Sequence, residues 1–232
     1  MGFLKRFFNN VLHETPPTPV TRSNSFDDLS PEQLEAHLAI DTYGAFTLTG
    51  AVRPAYDLQI IPRQGYRHDT YQDEEGQTEV PVIMASATRE ILFDLFLELL
   101  DPLGPVVDVV LETSHHHDQG GHLDLYREHI DLPVLKSTLW EYEELLLNDG
   151  CAGIAVLNPA TPQEIQFDEH KMLIMYGQPL REFEQILQQN DVYPDRNLRF
   201  LTEAEHVHSS SEEYYRTFEE LTMRLGMEAA VC

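Results

Sequence analysis

Cysteine is scarce in this chain: Cys151 and Cys232 are the only two among 232 residues. So few thiols build no disulfide framework, and the expectation is a reducing, cytoplasmic setting. Long hydrophobic runs are missing too. No window approaches the roughly 20 apolar residues of a membrane-crossing helix, and Met1-Gly2-Phe3-Leu4-Lys5-Arg6-Phe7-Phe8 lacks the apolar core of a secretory signal. Gly2 is placed for myristoylation, yet Arg6 stands where that signal requires Ser or Thr. Positive charge is the third shortage. Fifteen Lys and Arg face 40 Asp and Glu, a formal charge of −25, and Lys5, Lys136 and Lys171 are the only lysines. Such a surface repels nucleic-acid backbone and anionic membrane, which argues against a nucleic-acid partner and against peripheral membrane contact.

Named catalytic signatures are absent as well. The chain has no phosphate-binding Gly-rich loop, no dinucleotide fingerprint, no G-x-S-x-G elbow, no H-E-x-x-H and no paired C-x-x-C. Asp69, Asp73, Glu75 and Glu79 give a loosely calcium-like loop, but its glycine, Gly76, falls two positions late. That loop reads as a solvated hairpin.

What is present is enough apolar residue, 42%, to build a real core. Residues 1–13 place Phe3, Leu4, Phe7, Phe8, Val11 and Leu12 at helical spacing around Lys5 and Arg6, which predicts a short amphipathic helix. A Pro/Thr/Ser-rich linker over 14–29 tethers it to a body spanning 30–232. In the body, Ser30-Pro31 starts a short helix ending near Ile40. Strands are expected at 43–49, 56–61 and 80–85, with a polar excursion at 64–79 turning at 74–77. Thr88 is expected to cap a helix over 88–100, and a strand follows at 106–112. A helix over 134–148 precedes strands at 153–157, 164–167 and 172–175, a helix over 179–189, a strand at 197–201 and a last helix over 211–225. The fold class is therefore α+β, a mixed and largely antiparallel sheet with helices. The element string reads as a tandem αβββαβ duplication plus a C-terminal helix, with halves 30–130 and 131–232. Helix 88–100 is apolar almost all round, so it must be covered on both sides, by its own domain or by another subunit. Trp140 lies one residue off the apolar face of 134–148 and is expected at the edge of the core.

One stretch carries chemistry. The aliphatic run Val106 to Leu111 breaks into His115-His116-His117-Asp118-Gln119-Gly120-Gly121-His122, and imidazole is both the commonest metal ligand and the side chain that titrates near neutrality. His115, His117, Asp118 and His122 are candidate ligands, with Gly120-Gly121 allowing a tight return. Glu203, Glu205, His206 and His208 gather similarly beyond Leu201, although that stretch also reads as a lead-in to a helix capped by Ser211. The question the sequence poses is whether the segments 112–122 and 203–208 meet.

Two interaction features and no catalytic motif make a non-catalytic protein-interaction module the first expectation. Such a protein is not an enzyme and needs no cofactor; it meets another protein, or itself, through helix 1–13 or helix 88–100. The alternative is a metal-dependent hydrolase in which a divalent transition metal such as zinc is held by His115, His117, Asp118 and His122 with His206 and His208. A third reading is an acidic mimic of nucleic acid, with carboxylates in regular double rows.

Overall fold

A computed structural model describes residues 25–27, 29–72, 79–115 and 123–229. The expected helix 1–13, most of the 14–29 linker and the turn at 74–77 lie outside the described residues, so those expectations have no structural counterpart here. Among the described residues there are six helices and mostly antiparallel sheet, an α+β fold. No described helix is long and apolar enough to cross a membrane.

The short hairpin β1 (Thr42–Tyr43) and β2 (Phe46–Thr47) replaces the single strand expected at 43–49, because Gly44 turns the chain at φ 66. Next come β3 (Val52–Pro54), β4 (Gly65–Gln72), β5 (Glu79–Ser86), β6 (Val106–Thr113), β7 (Leu123–Asp131) and β8 (Ala152–Leu157). The remaining strands are β9 (Glu164–Phe167), β10 (Leu173–Tyr176), β11 (His206–His208) and β12 (Glu228–Ala229). The helices are α1 (Pro31–Leu38), α2 (Arg89–Leu99), α3 (Leu132–Glu141), α4 (Glu143–Asn148), α5 (Arg181–Gln189) and α6 (Glu212–Leu225).

Eight strands form one sheet in the order β12-β7-β6-β8-β9-β10-β5-β4, and every registered pair in it is antiparallel. The parallel contact is an isolated bridge between Tyr66 and Pro194. Because β5 and β6 are separated by β8, β9 and β10, α2 carries the chain over a gap that the later meander fills. The order interleaves residues of 30–130 with residues of 131–232, so it gives the duplication no confirmation. Two strands of that string are also corrected: 56–61 is turn and irregular chain, and at 197–201 there is no strand, only a short 3-10 turn over Leu201–Glu203. Leu58 with φ 49 breaks the first, and the Asp195 carboxylate pulling in the Asn197 N–H bends the second. Helix 134–148 is two helices, α3 and α4, broken at Tyr142. Strands β4, β7 and β11 were unexpected; their polar sequences belong to the rim of the sheet system, where only partial burial is demanded.

Alternation sorts the sheet into two faces. One face runs Leu125, Leu111, Ile154, Phe167, Leu173, Ala85 and Tyr66 straight across seven strands. These residues meet the apolar sides of α2 to α6 in a single core that includes Leu95, Phe96, Leu139, Leu146, Phe183 and Leu221. Helix α2 shows water only Asp94 and Glu98 beyond its first turn, so its almost uniform hydrophobicity is covered by its own domain. Phe96 packs on Phe167 with ring centroids 5.1 Å apart. Thr88 stands at the N-cap of α2 but does not cap it, since its Oγ1 accepts from the Thr47 N–H and bonds the Glu90 carboxylate instead. Ser30 and Ser211 do cap, accepting from Gln33 and Tyr214 N–H respectively. Trp140 is 58% exposed and meets the core edge-on at Phe93.

The opposite face is mixed. Leu157, Glu164, Tyr176 and Val82 form a cross-strand row, and Glu164 is fully buried. One carboxyl oxygen of Glu164 accepts from Gln166 Nε2 at 2.8 Å, and the other has no hydrogen-bond partner. Burial pushes this carboxyl up to about 8, slightly offset by the Gln166 hydrogen bond. Between its unfolded value and pH 8 the folded protein therefore holds a proton that the unfolded chain has released, so stability falls as pH rises. The slope from this residue is at most about 1.4 kcal/mol per pH unit. Glu164→Gln should flatten the decline in unfolding free energy between pH 5.5 and 8 by about that slope, read by urea denaturation; parallel pH curves for the two proteins would refute the assignment.

Candidate metal centre

Three polar segments converge at the end of the sheet where β6 and β9 finish and β8 and β10 begin. The register Thr113 to Ala152, Ile154 to Phe167 and Phe167 to Leu173 places 113–115, 149–152 and 168–172 side by side. The Ser114 N–H extends the β6 to β8 ladder by donating to the Cys151 carbonyl at 2.9 Å. The fourth segment is β11, which pairs antiparallel with β3 so that His208 lies opposite Val52 and His206 opposite Pro54. As alternate residues of one strand, these two histidines project to the same side.

The third imidazole comes from the turn between β9 and β10. Asp168 organises that turn: its backbone carbonyl accepts the Lys171 N–H, and its Oδ1 accepts the Met172 N–H at 2.8 Å. Lys171 takes φ 63 to close it. The result presents His170 to β11, with one nitrogen of His170, His206 and His208 each within 4.8 Å of the other two. The ring centroids stand 4.6 to 5.1 Å apart.

The outer nitrogen of each ring is held by an acceptor. His170 Nδ1 meets Asp168 Oδ2 at 3.0 Å, His206 Nδ1 meets the Ala204 carbonyl at 2.8 Å, and His208 Nδ1 meets the Gly150 carbonyl at 2.5 Å. Carbonyls and an ionised carboxylate donate nothing, so each Nδ1 carries the proton. In the neutral rings the Nε2 atoms then bear lone pairs, and those of His170 and His206 are 3.1 Å apart. Two lone pairs facing at that distance repel unless a cation or a proton lies between them. Tetrahedral zinc with bonds of about 2.0–2.1 Å sets neighbouring nitrogens about 3.3–3.4 Å apart, close to what is seen. Carboxylate and carbonyl partners on the far nitrogen are the usual support of metal-binding imidazole.

The electrostatics agree with that support. Burial alone would raise the Asp168 carboxyl, but the charge and hydrogen bond of His170, the Met172 amide and Lys171 outweigh it and hold it below its ordinary range. Burial, then His170, push the His208 imidazole down, partly offset by the Gly150 carbonyl. Lys171 is buried with its Nζ donating to the Ala152 carbonyl at 2.7 Å, 5.4 Å from the centre of the Phe167 ring. Burial brings its ammonium down to about 8 against the pull of Asp149, Asp168, Glu169 and Cys151. Beneath the turn, Glu112 is buried and pushed well up, first by burial and then by Asp124, Glu164, Asp168 and Glu169. An apolar pocket adjoins His170, lined by Phe46, Leu92, Phe200, Lys171 and Arg63 among others.

The expected ligands fall into three groups. His206 and His208 stand together, joined by His170, which sequence reading missed although Asp168-Glu169-His170-Lys171 sits between two apolar strands as an obvious polar turn. His115 is elsewhere, with Nε2 3.0 Å from Asp149 Oδ2 and 3.2 Å from Ser210 Oγ. His117, Asp118 and His122 lie outside the described residues. The segments 112–122 and 203–208 do adjoin across 149–151, since His115 reaches Asp149 while His208 reaches Gly150. Comparison with protein-family models, with curated proteins and with solved structures finds no match to this chain.

Gly150 sits in tight quarters between His115's neighbour Asp149 and the end of β11. A Cβ there would lie 2.4 Å from the Ala51 carbonyl oxygen and 2.9 Å from that of Ser209, and both are backbone atoms next to the paired strands β3 and β11. Gly150→Ala should cost about 1–3 kcal/mol of stability, the usual penalty of overpacking. It should also shift the His208 ring resonances in NMR spectra; an unchanged denaturation midpoint with an unchanged His208 signal would show that the close approach is wrong.

Proposed function

We propose that the protein is a metal-dependent hydrolase-type protein whose His170, His206 and His208 bind a divalent transition metal of the zinc class. The observation that carries this reading is the pair of Nε2 atoms 3.1 Å apart on rings whose Nδ1 protons are already committed. Three imidazoles leave a fourth position on a tetrahedral ion for water, and such an ion supplies a nucleophilic hydroxide near neutral pH. The adjoining apolar pocket, bordered by His170, offers a place for a small uncharged portion of a substrate. A reducing, cytoplasmic location belongs to the same proposal, supported by Cys151 as a free thiol.

The expectation of a protein-interaction module keeps one observation in its favour. Trp140 and Val134 are both more than half exposed on α3, and large exposed apolar side chains are common at contact surfaces.

Untagged protein stripped of metal and reloaded with zinc should retain at least one equivalent after dialysis and show a raised melting temperature. The double variant His170→Ala, His206→Ala should lose that equivalent, and Asp168→Asn should weaken binding about 10–100-fold by loosening the orientation of His170. Equal zinc retention by wild type and the double variant would sink the proposal.

A further inference from the structure

A second group of donor atoms lies on the other side of the 149–151 turn. Asp149 follows α4 and is fully buried. Its Oδ1 accepts the Cys151 N–H at 3.1 Å, which fixes the carboxylate plane. Its Oδ2 lies 3.0 Å from His115 Nε2. The Cys151 Sγ completes the set, with one donor atom of His115, Asp149 and Cys151 each within 4.8 Å of the others. The His115 side chain is itself only 6% exposed, enclosed by the rings of Tyr215 and Phe218 at 5.2 and 5.8 Å.

We infer that His115, Asp149 and Cys151 form a second binding site for a borderline-soft divalent metal such as zinc, separated from the His170 site by Gly150. A fully buried carboxylate is costly to leave unpaired, and a metal ion held with His115 and Cys151 would pair it. Imidazole, carboxylate and thiolate together select zinc-class ions over calcium or magnesium, which avoid sulfur. On binding, the Cys151 thiol gives its proton to solvent and the sulfur lone pair to the metal. His115 Nδ1, beside Thr113 Oγ1 at 2.5 Å, has the supporting contact that orients a ligating ring. The inference stands apart from the proposed function, since none of its three residues belongs to the His170 group.

Cobalt separates the two sites because only a thiolate ligand gives cobalt(II) an intense near-ultraviolet charge-transfer band. The experiment loads full-length, untagged protein with cobalt(II) and with zinc under reducing conditions, then counts bound metal after dialysis. Wild type should hold two equivalents and show the thiolate band. Cys151→Ser should lose the band and one equivalent, and His115→Gln should lose one equivalent. The double variant His170→Ala, His206→Ala should also hold one equivalent, yet keep the band. Wild type without the band overturns the inference whatever the count, and one equivalent bound without it leaves the His170 site standing alone. A band that survives in Cys151→Ser, or that vanishes in the His170, His206 variant, overturns it as well, because the thiol would then belong to Cys232 or to the first site.

Discussion

The insertion of β8, β9 and β10 between β5 and β6 is the constraint on which the rest of this structure depends. Strands β5 and β6 are joined by α2, whose hydrophobic surface is too extensive to rest on two strands alone. The meander supplies the missing floor: Ile165, Phe167, Leu173 and Met175 lie under α2 in the same core. Because all these strands run antiparallel, the turn after β9 and the entry to β8 emerge at one end, beside the exit of β6. Polar loops that are far apart in sequence are thereby stacked on a rigid apolar base.

That base also explains the unusual electrostatics. A chain with net charge −25 keeps most of its carboxylates in water, where they cost little. Glu112, Asp149, Glu164 and Asp168 are exceptions, and they follow two rules. Asp149 and Asp168 accept backbone N–H groups and face imidazoles, so they stay ionised. Glu112 and Glu164 lack such donors and are driven toward the neutral form. Burial works against the charge of all four, and the local donors decide which retain it.

Much of the fold was legible. Strands 80–85, 106–112, 153–157, 164–167 and 172–175 and the helices at 88–100 and 211–225 were visible as apolar runs or spacings between caps and turns, and the helix at 30–40 from its Ser30-Pro31 start. Strands β4, β7 and β11 were not, because Arg67, Asp69, Arg127, His206 and His208 interrupt any apolar alternation, and their pairing partners supply the order. The histidines at 115, 206 and 208 could be named from sequence, but their grouping could not. His170 was overlooked because a single imidazole in a polar turn has no periodic signal, and Asp149 and Cys151 because they resemble an ordinary helix stop.

What the sequence by itself determined is the α+β class, the apolar helix that must be covered on both sides, and the residue types able to hold a metal. These follow from local periodicity and side-chain chemistry, which need no partner. Tertiary structure alone decided that His206 and His208 face His170, and that His115 turns instead to Asp149. The reason is register: the antiparallel pairing of β6 with β8, β8 with β9 and β11 with β3 sets which loops share an end of the sheet, and a pairing register is a property of two segments and not of either one.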